Sequence, residues 1–464
     1  MMRRRLRCTG LLLTLTTVGL CSQAQTSIEP AQNTIAVQES VVGPGSESAA
    51  PVLTLQDAIA GARLHQPDLR LAAARVQAAE ARVDEARAAF YPQISLSGIL
   101  KAGLPGSTGA LGLIGFPSTP FFRNIAGSLN IQQTIFDFGR LRHTLNAAKL
   151  LEQATVLQQT AAERAAALLV ARAYHLALSA QTMRAIAENN MALQRLDRDE
   201  ALAYARAGLH SQYDADVAGE RLAQAQEAAT QSFQAEIAAK AALRSAMGEP
   251  DISAPMTLVP PVPRTPPGPL PATVAEGMAV ARRQRPELQA EALEASALAQ
   301  QLELARADRL PQVSGFGAAG GGRFNDATVK PQQQHGVAAV GASLPVFDGG
   351  MRKARIREAM AATESEKARG EQLRETIAGE VNDAILQNAS TTTTLATLRQ
   401  QEVLAEEELK GVSEQAKAEL VSLAVRDRAE LRLRELRAQV AMVQLTNDEV
   451  QFELEFSLGG NLDL

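Results

Sequence analysis

The chain has 464 residues, 46% of them hydrophobic and 21% charged, a balance that belongs to folded rather than disordered proteins. Its formal net charge of -5 argues against a nucleic-acid surface, which needs a concentrated excess of Lys and Arg. Aromatic residues make up 3%, Trp is absent and much of the apolar fraction is Ala, so closely packed helices suit the sequence better than a large globular core.

Arg3, Arg4, Arg5 and Arg7 precede an apolar run from Leu11 to Leu20 and the small-residue site Ser22-Gln23-Ala24. These are the three parts of a secretory signal, expected to span residues 1–24. An N-terminal anchor is excluded, since about ten apolar residues span only ~15 Å as a helix. Cys21 would be the lipid-attachment residue of a lipoprotein, but Leu20 stands where such a site wants Gly or Ala. Cleavage after Ala24 removes Cys8 and Cys21, the chain's two cysteines, and with them any disulfide or thiol chemistry. A polar arm, 25–52, follows without periodic pattern.

The segment from Thr54, TLQDAIAGARLHQPDLRLAAARVQAAEARVDEARAAFYPQISLSG, returns from Thr273 as TVAEGMAVARRQRPELQAEALEASALAQQLELARADRLPQVSGFG. Pro67 and Pro92 match Pro286 and Pro311, Ala86-Arg87-Ala88 matches Ala305-Arg306-Ala307, and Gln93, Ser95 and Gly98 match Gln312, Ser314 and Gly317. Register that holds through two prolines and a strand marks a duplicated unit. The copies are expected at 53–248 and 273–458, with a short tail at 459–464. Between them, residues 249–272 hold nine of the 21 prolines and form an extended strap.

Each copy reads in the same order. A helical run (54–90; 273–310) is followed by two strands with period-two alternation (about 93–100 and 128–136; about 312–318 and 336–346), then a long helix without proline, a turn (about 208–211; about 419–422) and a last helix (212–247; 423–456). In the first strand Ile94, Leu96 and Leu100 fall on one side and Ser95 and Ser97 on the other. The connecting loop, Gly103 to Gly127, is unusually apolar, with Leu111, Leu113, Ile114, Phe116, Phe121 and Phe122. The long helices, Arg140 to Ala207 and Met351 to Ala418, would run about 100 Å and need lateral neighbours. No later segment is apolar enough for a transmembrane helix, so a membrane crossing must use strands. Four strands leave two open edges; three copies of the chain would close twelve strands and two would close eight, three being favoured.

The strand-to-helix junctions read Phe136-Asp137-Phe138-Gly139 and Phe347-Asp348-Gly349-Gly350. Phe136, Phe138 and Phe347 suit a membrane interface, Asp137 and Asp348 suit an N-cap or first turn, and Gly139 and Gly350 suit a tight turn. At the turns, Gly208-Leu209-His210-Ser211 offers a glycine C-cap and a serine N-cap, and the second copy has Glu419-Leu420-Val421-Ser422, where Glu419 replaces the glycine and leaves the turn less strained or shifted. Asp214, Asp216, Arg426, Asp427 and Arg428 follow. Hairpin geometry alone also accounts for the turns, and solvated helix faces account for the charges.

The duplicated unit, the F-D-x-G junctions and the G-L-x-S turn at Gly208, Leu209 and Ser211, behind a signal segment, resemble the TolC-like outer-membrane efflux family over about Leu53 to Leu458. The resemblance implies a mainly α fold with a β-barrel part: a homotrimer with a twelve-stranded barrel in outer-membrane lipid, continued by a periplasmic helical tunnel. It implies a passive exit duct, opened by a periplasmic adaptor and an inner-membrane efflux transporter, for small molecules such as drugs. A type I protein secretion duct shares the same outer component. It also implies that Gly208, Leu209, Ser211, Leu420, Val421 and Ser422 form an adaptor-docking tip, and that Asp214, Asp216, Arg426, Asp427 and Arg428 line the periplasmic entrance. Arg426 and Arg428 flank Asp427, which departs from a purely acidic ring. A pore-free periplasmic coiled-coil spacer is the reading from another class, and it has no use for two amphipathic hairpins.

No catalytic constellation is present. His65, His143, His175, His210 and His335 are scattered without an H-x-x-x-H pair, so neither a metal nor another cofactor is expected. Gly320-Gly321-Gly322, expected in a hairpin loop, lacks the Lys-Ser or Lys-Thr of a phosphate cradle.

Overall fold

Two prolines divide what periodicity alone presents as single helices. In a computed structural model, which describes residues 52–103, 122–261, 270–323, 332–418, 420–421 and 423–460, the run 54–90 is two helices, α1 (Leu55–His65) and α2 (Pro67–Ala88). Pro67 has no N–H to give to an ongoing helix and drives Gln66 to extended backbone, so a second helix starts there with proline in its first turn. Thr54 opens α1 through a capping box with Asp57. The signal segment and nearly all of the N-terminal arm, the apolar loop over 104–121, Glu419 and Ser422 lie outside the described residues.

The chain then runs through β2 (Gln93–Gly103), β3 (Phe122–Phe136), α3 (Arg140–Arg206) and α4 (Gln212–Met247), the two-residue strand β1 (Val52–Leu53) having preceded α1. After β4 (Thr257–Leu258) the second copy repeats the order: α5 (Val274–Gln284), α6 (Pro286–Ala307), β5 (Gln312–Arg323), β6 (Gln332–Ser343), α7 (Met351–Lys417) and α8 (Leu423–Leu458). Pro286 splits α5 from α6 as Pro67 splits α1 from α2. Both long helices have 67 residues, about 100 Å at the helical rise. Along its length α3 packs on α2, α4, α6 and α8, whereas α7 packs on α5, α6 and α8.

The four long strands form one antiparallel sheet in the order β2-β3-β5-β6. They are longer than alternation indicates, because glycine-rich segments continue the ladder instead of turning. Gly320, Gly321 and Gly322 lie inside β5, opposite Ser128, Gly127 and Ala126, and so belong to a strand rather than to a hairpin loop. A Cβ on Gly320 would come within 2.5 Å of the Gly127 carbonyl oxygen, so only glycine fits there. The last strand stops at Ser343 rather than at 346, since Leu344 to Phe347, with Pro345 among them, meet no partner strand among the described residues.

Register sorts the first hairpin into two unlike faces. Ile94, Leu96 and Leu100 stand opposite Ile131, Leu129 and Ile125, and all six side chains are exposed. The other face carries Ser95, Ser97, Ser128, Asn130, Gln132 and Thr134, with Ser97 Oγ 2.9 Å from Ser128 Oγ and Asn130 Nδ2 donating to Ser97 Oγ at 2.9 Å. No helix among the described residues is long and apolar enough to cross a membrane.

The main core lies at mid-length of α3, far from both its ends. Leu55, Ile59, Val170, Tyr174, Leu243, Met247 and Leu258 bury one another, while Ala281, Leu288, Ile377, Val381, Leu454 and Leu458 form a second cluster. The clusters share matching positions: Val170 and Leu243 in the first correspond to Val381 and Leu454 in the second. β1 pairs in parallel with β4, and the buried Tyr174 hydroxyl lies 2.9 Å from the Leu53 carbonyl oxygen and 2.6 Å from that of Val259. The start of the first copy and the first half of the strap are thereby tied to the middle of the long helix. Beside it His175 is 2% exposed, its Nδ1 has no hydrogen-bond partner, and burial pushes its pKa down to about 4.

A folded-state value below the unfolded one means that protons bind preferentially to the unfolded chain. The stabilisation is complete above the ordinary value of 6.5 and is lost as pH falls toward 4. Over that range His175 accounts for a loss of at most roughly 3 kcal/mol per chain. Thermal melts of the parent and of His175→Leu between pH 7 and pH 4 check this: the variant should lose less stability on acidification, and parallel curves would refute the assignment.

Candidate functional site: strand-to-helix junctions and helical tips

At the first junction the strand hands over to the helix within three residues, whereas seven separate β6 from α7 at the second. The solution uses two consecutive left-handed residues, Phe138 and Gly139 (φ 54° and 88°) in the first copy and Gly349 and Gly350 (φ 64° and 92°) in the second. Phe138 is the single non-glycine with positive φ among the described residues, and its ring packs edge-on against Phe136 at 4.6 Å between centroids. Gly139 and Gly350 are the residues that cap α3 and α7, so the aspartates are not themselves the N-caps. Each aspartate sits two positions earlier and reaches over the turn. Asp137 accepts from the N–H of Gly139 at 3.0 Å and of Leu141 at 2.7 Å. Asp348 accepts from the N–H of Gly350 and of Arg352, both at 3.0 Å, and from Arg352 Nε at 2.6 Å. The Arg352 guanidinium and these amides hold the Asp348 carboxyl at about 2. Phe136 and Phe347 are 52% and 88% exposed, and Val346 beside Phe347 is 90% exposed.

Arg140, the first residue of α3, is a junction residue that pattern reading missed. Its guanidinium donates to the Ala307 carbonyl at 3.1 Å and to that of Leu310, meets Gln312 Oε1 at 3.4 Å and lies 3.6 Å from Asp308. One side chain thus fastens the first copy's helix start to the second copy's helix-to-strand corner. Only the adjacency of α3 and α6 gives it that role.

At the opposite end of α3, Gly208 takes φ 72° and the Leu209 N–H donates to the Tyr204 carbonyl at 3.0 Å. Ser211 caps α4 through a capping box in which Asp214 accepts the Ser211 N–H at 3.2 Å. The His210 ring lies 5.3 Å from that of Tyr204, and its Nδ1 is 3.7 Å from Asp214. In the second tip the Leu420 N–H donates to the Gln415 carbonyl at 2.9 Å, the counterpart of the Leu209 bond. Leu209, Tyr213 and Leu420 are 69%, 72% and 76% exposed, and Val421 is half-buried.

The charges near the tips do not converge within one chain. Asp214 is engaged in capping, Asp216 takes a long bond from Gln212 at 3.3 Å, and Arg426 turns to its neighbour Asp427 at 2.6 Å. Arg428 is exposed, and no hydrogen bond among the described residues joins the first tip's acids to these arginines. The firmer link beside the second tip is Arg437 of α8, which donates to Glu402 at 3.3 Å and to Glu406, both on α7. Among the described residues no group of His, Cys, Asp and Glu could hold a metal ion.

The sequence profile of the outer membrane efflux protein family matches residues 58–249 and 278–460, both repeats in turn. Protein CyaE of Bordetella pertussis is 30% identical over 335 residues, covering 69% of this chain and 66% of CyaE, just under two thirds of its length. Among solved structures, the outer membrane protein VceC from Vibrio cholerae superposes with a TM-score of 0.71 at 20% identity, over 88% of this chain and 96% of VceC. The Campylobacter jejuni CmeC outer membrane channel gives 0.71 at 15% identity, over 88% and 85%. These likenesses are to the fold. With both copies of the unit matched across most of its length, the chain belongs to the outer membrane efflux protein family, and its place is the outer membrane with the helices on the periplasmic side.

Proposed function

We propose that three copies of this chain form a passive exit duct, a twelve-stranded barrel in the outer membrane continued by a periplasmic tunnel of helices. The observation that carries the reading is the sheet. Among the described residues it has two unpaired edges and a face of exposed Ile94, Leu96, Leu100, Ile125, Leu129 and Ile131, an arrangement that is stable in lipid only when closed. The opposite face, with Ser97, Ser128 and Asn130, then turns to an aqueous lumen. A coiled-coil spacer without a pore would have no use for this division.

The tips support the second half of the proposal. Leu209, Tyr213 and Leu420 are large apolar side chains left in solvent at the far ends of α3 and α7, where a helical periplasmic adaptor can cover them. Adaptor docking, and through it an inner-membrane transporter, would open the tunnel to small molecules such as drugs. In a trimer Asp214, Asp216, Arg426, Asp427 and Arg428 each occur three times around one axis and shape the field at the entrance.

A strain lacking the chain should become drug-sensitive, and the parent gene should restore resistance. Leu209→Asp with Leu420→Asp should fail to restore it while the assembled protein reaches the outer membrane at normal level. Full resistance in that double variant would remove the docking role from the tips. Loss of a secreted protein without drug sensitivity would assign the duct to type I secretion instead.

A further inference from the structure

The duplication makes a quantitative statement about the sheet. Phe136 and Phe347 are 211 residues apart, as are Asp137 and Asp348, whereas Gln93 and Gln312 are 219 apart, as are Pro67 and Pro286. The first separation carries β3 and α3 onto β6 and α7, and the second carries α2 and β2 onto α6 and β5. The hairpins obey both at once: Gln93 pairs with Gln132 in the first, and their counterparts Gln312 and Ser343 pair in the second.

Three interfaces are needed for a closed ring of such units, and the chain contains two kinds. One is the hairpin within each copy. The other is the β3–β5 seam, where the first copy meets the second with Gln133 opposite Gly315, Ile131 opposite Gly317 and Leu129 opposite Ala319, and with an irregularity between Thr134 and Phe136. The missing kind would join β6 to a β2. Below the sheet the same side lacks a counterpart among the described residues, since α3 packs extensively on both α2 and α6 while α7 packs so on α6 alone of that pair.

We infer that β6 of one copy pairs antiparallel with β2 of the next in a register inherited from the β3–β5 seam, so that Leu344 faces Leu96, Val340 faces Leu100, Ala342 faces Gly98 and Phe347 faces Ile94. The inference rests on the proposed trimer and specifies its seam. Applying the two separations to Gln133–Gly315 gives Leu344–Leu96, and applying them to Leu129–Ala319 gives Val340–Leu100. The pairs so obtained share one face of the sheet, and it is the apolar one. They also join side chains the single chain leaves bare: Leu96 is 83% exposed, Leu100 65%, Val340 70% and Leu344 53%. A slip of one residue would set each apolar side chain on the opposite face from its partner.

The seam within the chain places large residues against glycine and alanine, whereas the seam between chains places large against large at three of its four pairs and Ala342 against Gly98 at the fourth. That difference is physically sensible. The inner seam is held by covalent continuity and by Arg140, whose counterpart Met351 cannot make those hydrogen bonds. The outer seam has no such tether and depends on cross-strand apolar contact and on the ladder itself. An interface of this sort is heterologous, one edge meeting a different edge, and therefore closes as a ring rather than as a symmetric pair.

The test is oxidative cross-linking of the full-length protein in outer membranes, read on non-reducing gels, with single-cysteine variants as controls for Cys8 and Cys21. Directly opposed residues bring Cβ atoms within disulfide reach, whereas diagonal neighbours stand about 7–8 Å apart. Leu96→Cys with Leu344→Cys, and separately Leu100→Cys with Val340→Cys, should give a reducible ladder ending at three chains. Leu96→Cys with Ala342→Cys, or Leu100→Cys with Ala342→Cys, should stay at the level of the single-cysteine controls. Equal or stronger linkage in these slipped pairs, or none in either expected pair, in a particle with the mass of three chains would overturn the register while sparing the trimer. A particle with the mass of one chain would overturn the trimer reading and the register with it.

Discussion

Unpaired backbone at a sheet edge governs this molecule. In water, the N–H and C=O groups along β2 and β6 can be solvated; in hydrocarbon each unpaired group costs several kcal/mol. A chain with an apolar sheet face and two open edges is therefore a fragment of a closed object, and the closure must come from more chain of the same kind. Duplication within the gene supplies half of the solution. β3 and β5 close one seam internally, and the ends of the four-strand unit become complementary to each other because they are the ends of repeated pieces.

The helices inherit their arrangement from that sheet. Each junction leads from a strand into a 67-residue helix, and the start of the helix is set by left-handed residues with an aspartate bridging over them. Strand order and helix order are thereby linked. At mid-length α3 is buried among α1, α4 and the β1–β4 pair bound by Tyr174, and α7 among α5, α6 and α8. Much of the remaining length keeps apolar residues such as Leu386 and Leu404 exposed, a surface that suits helices awaiting neighbours.

Features with a repeat signature were legible before any coordinates. The proline spacing, the F-D-x-G junctions and the turn at Gly208 each occur at matched positions, and a pattern that recurs is hard to produce by helix composition alone. Two kinds of feature stayed hidden. Strand ends were misjudged because Gly320 to Gly322 look like a loop when only local propensity is considered, whereas close approach to Gly127 decides in favour of strand. Long-range roles were missed because they need adjacency: Arg140 has no motif, and its partners lie about 170 residues away in sequence. The aspartates at the junctions read as helix-start acids and do accept the N–H groups there, but from two positions before the cap, since the left-handed pair that separates them from α3 and α7 leaves no signal at Phe138.

The mass and shape of the detergent-extracted particle test the closed-ring account most directly, by light scattering on a sizing column with negative-stain images of the same peak. The account predicts the mass of three chains in a tube at least ~100 Å long, the reach of the long helices. A protein that leaves the cell without detergent and runs as one or two chains would contradict it, because the sheet edges would then be satisfied by water alone.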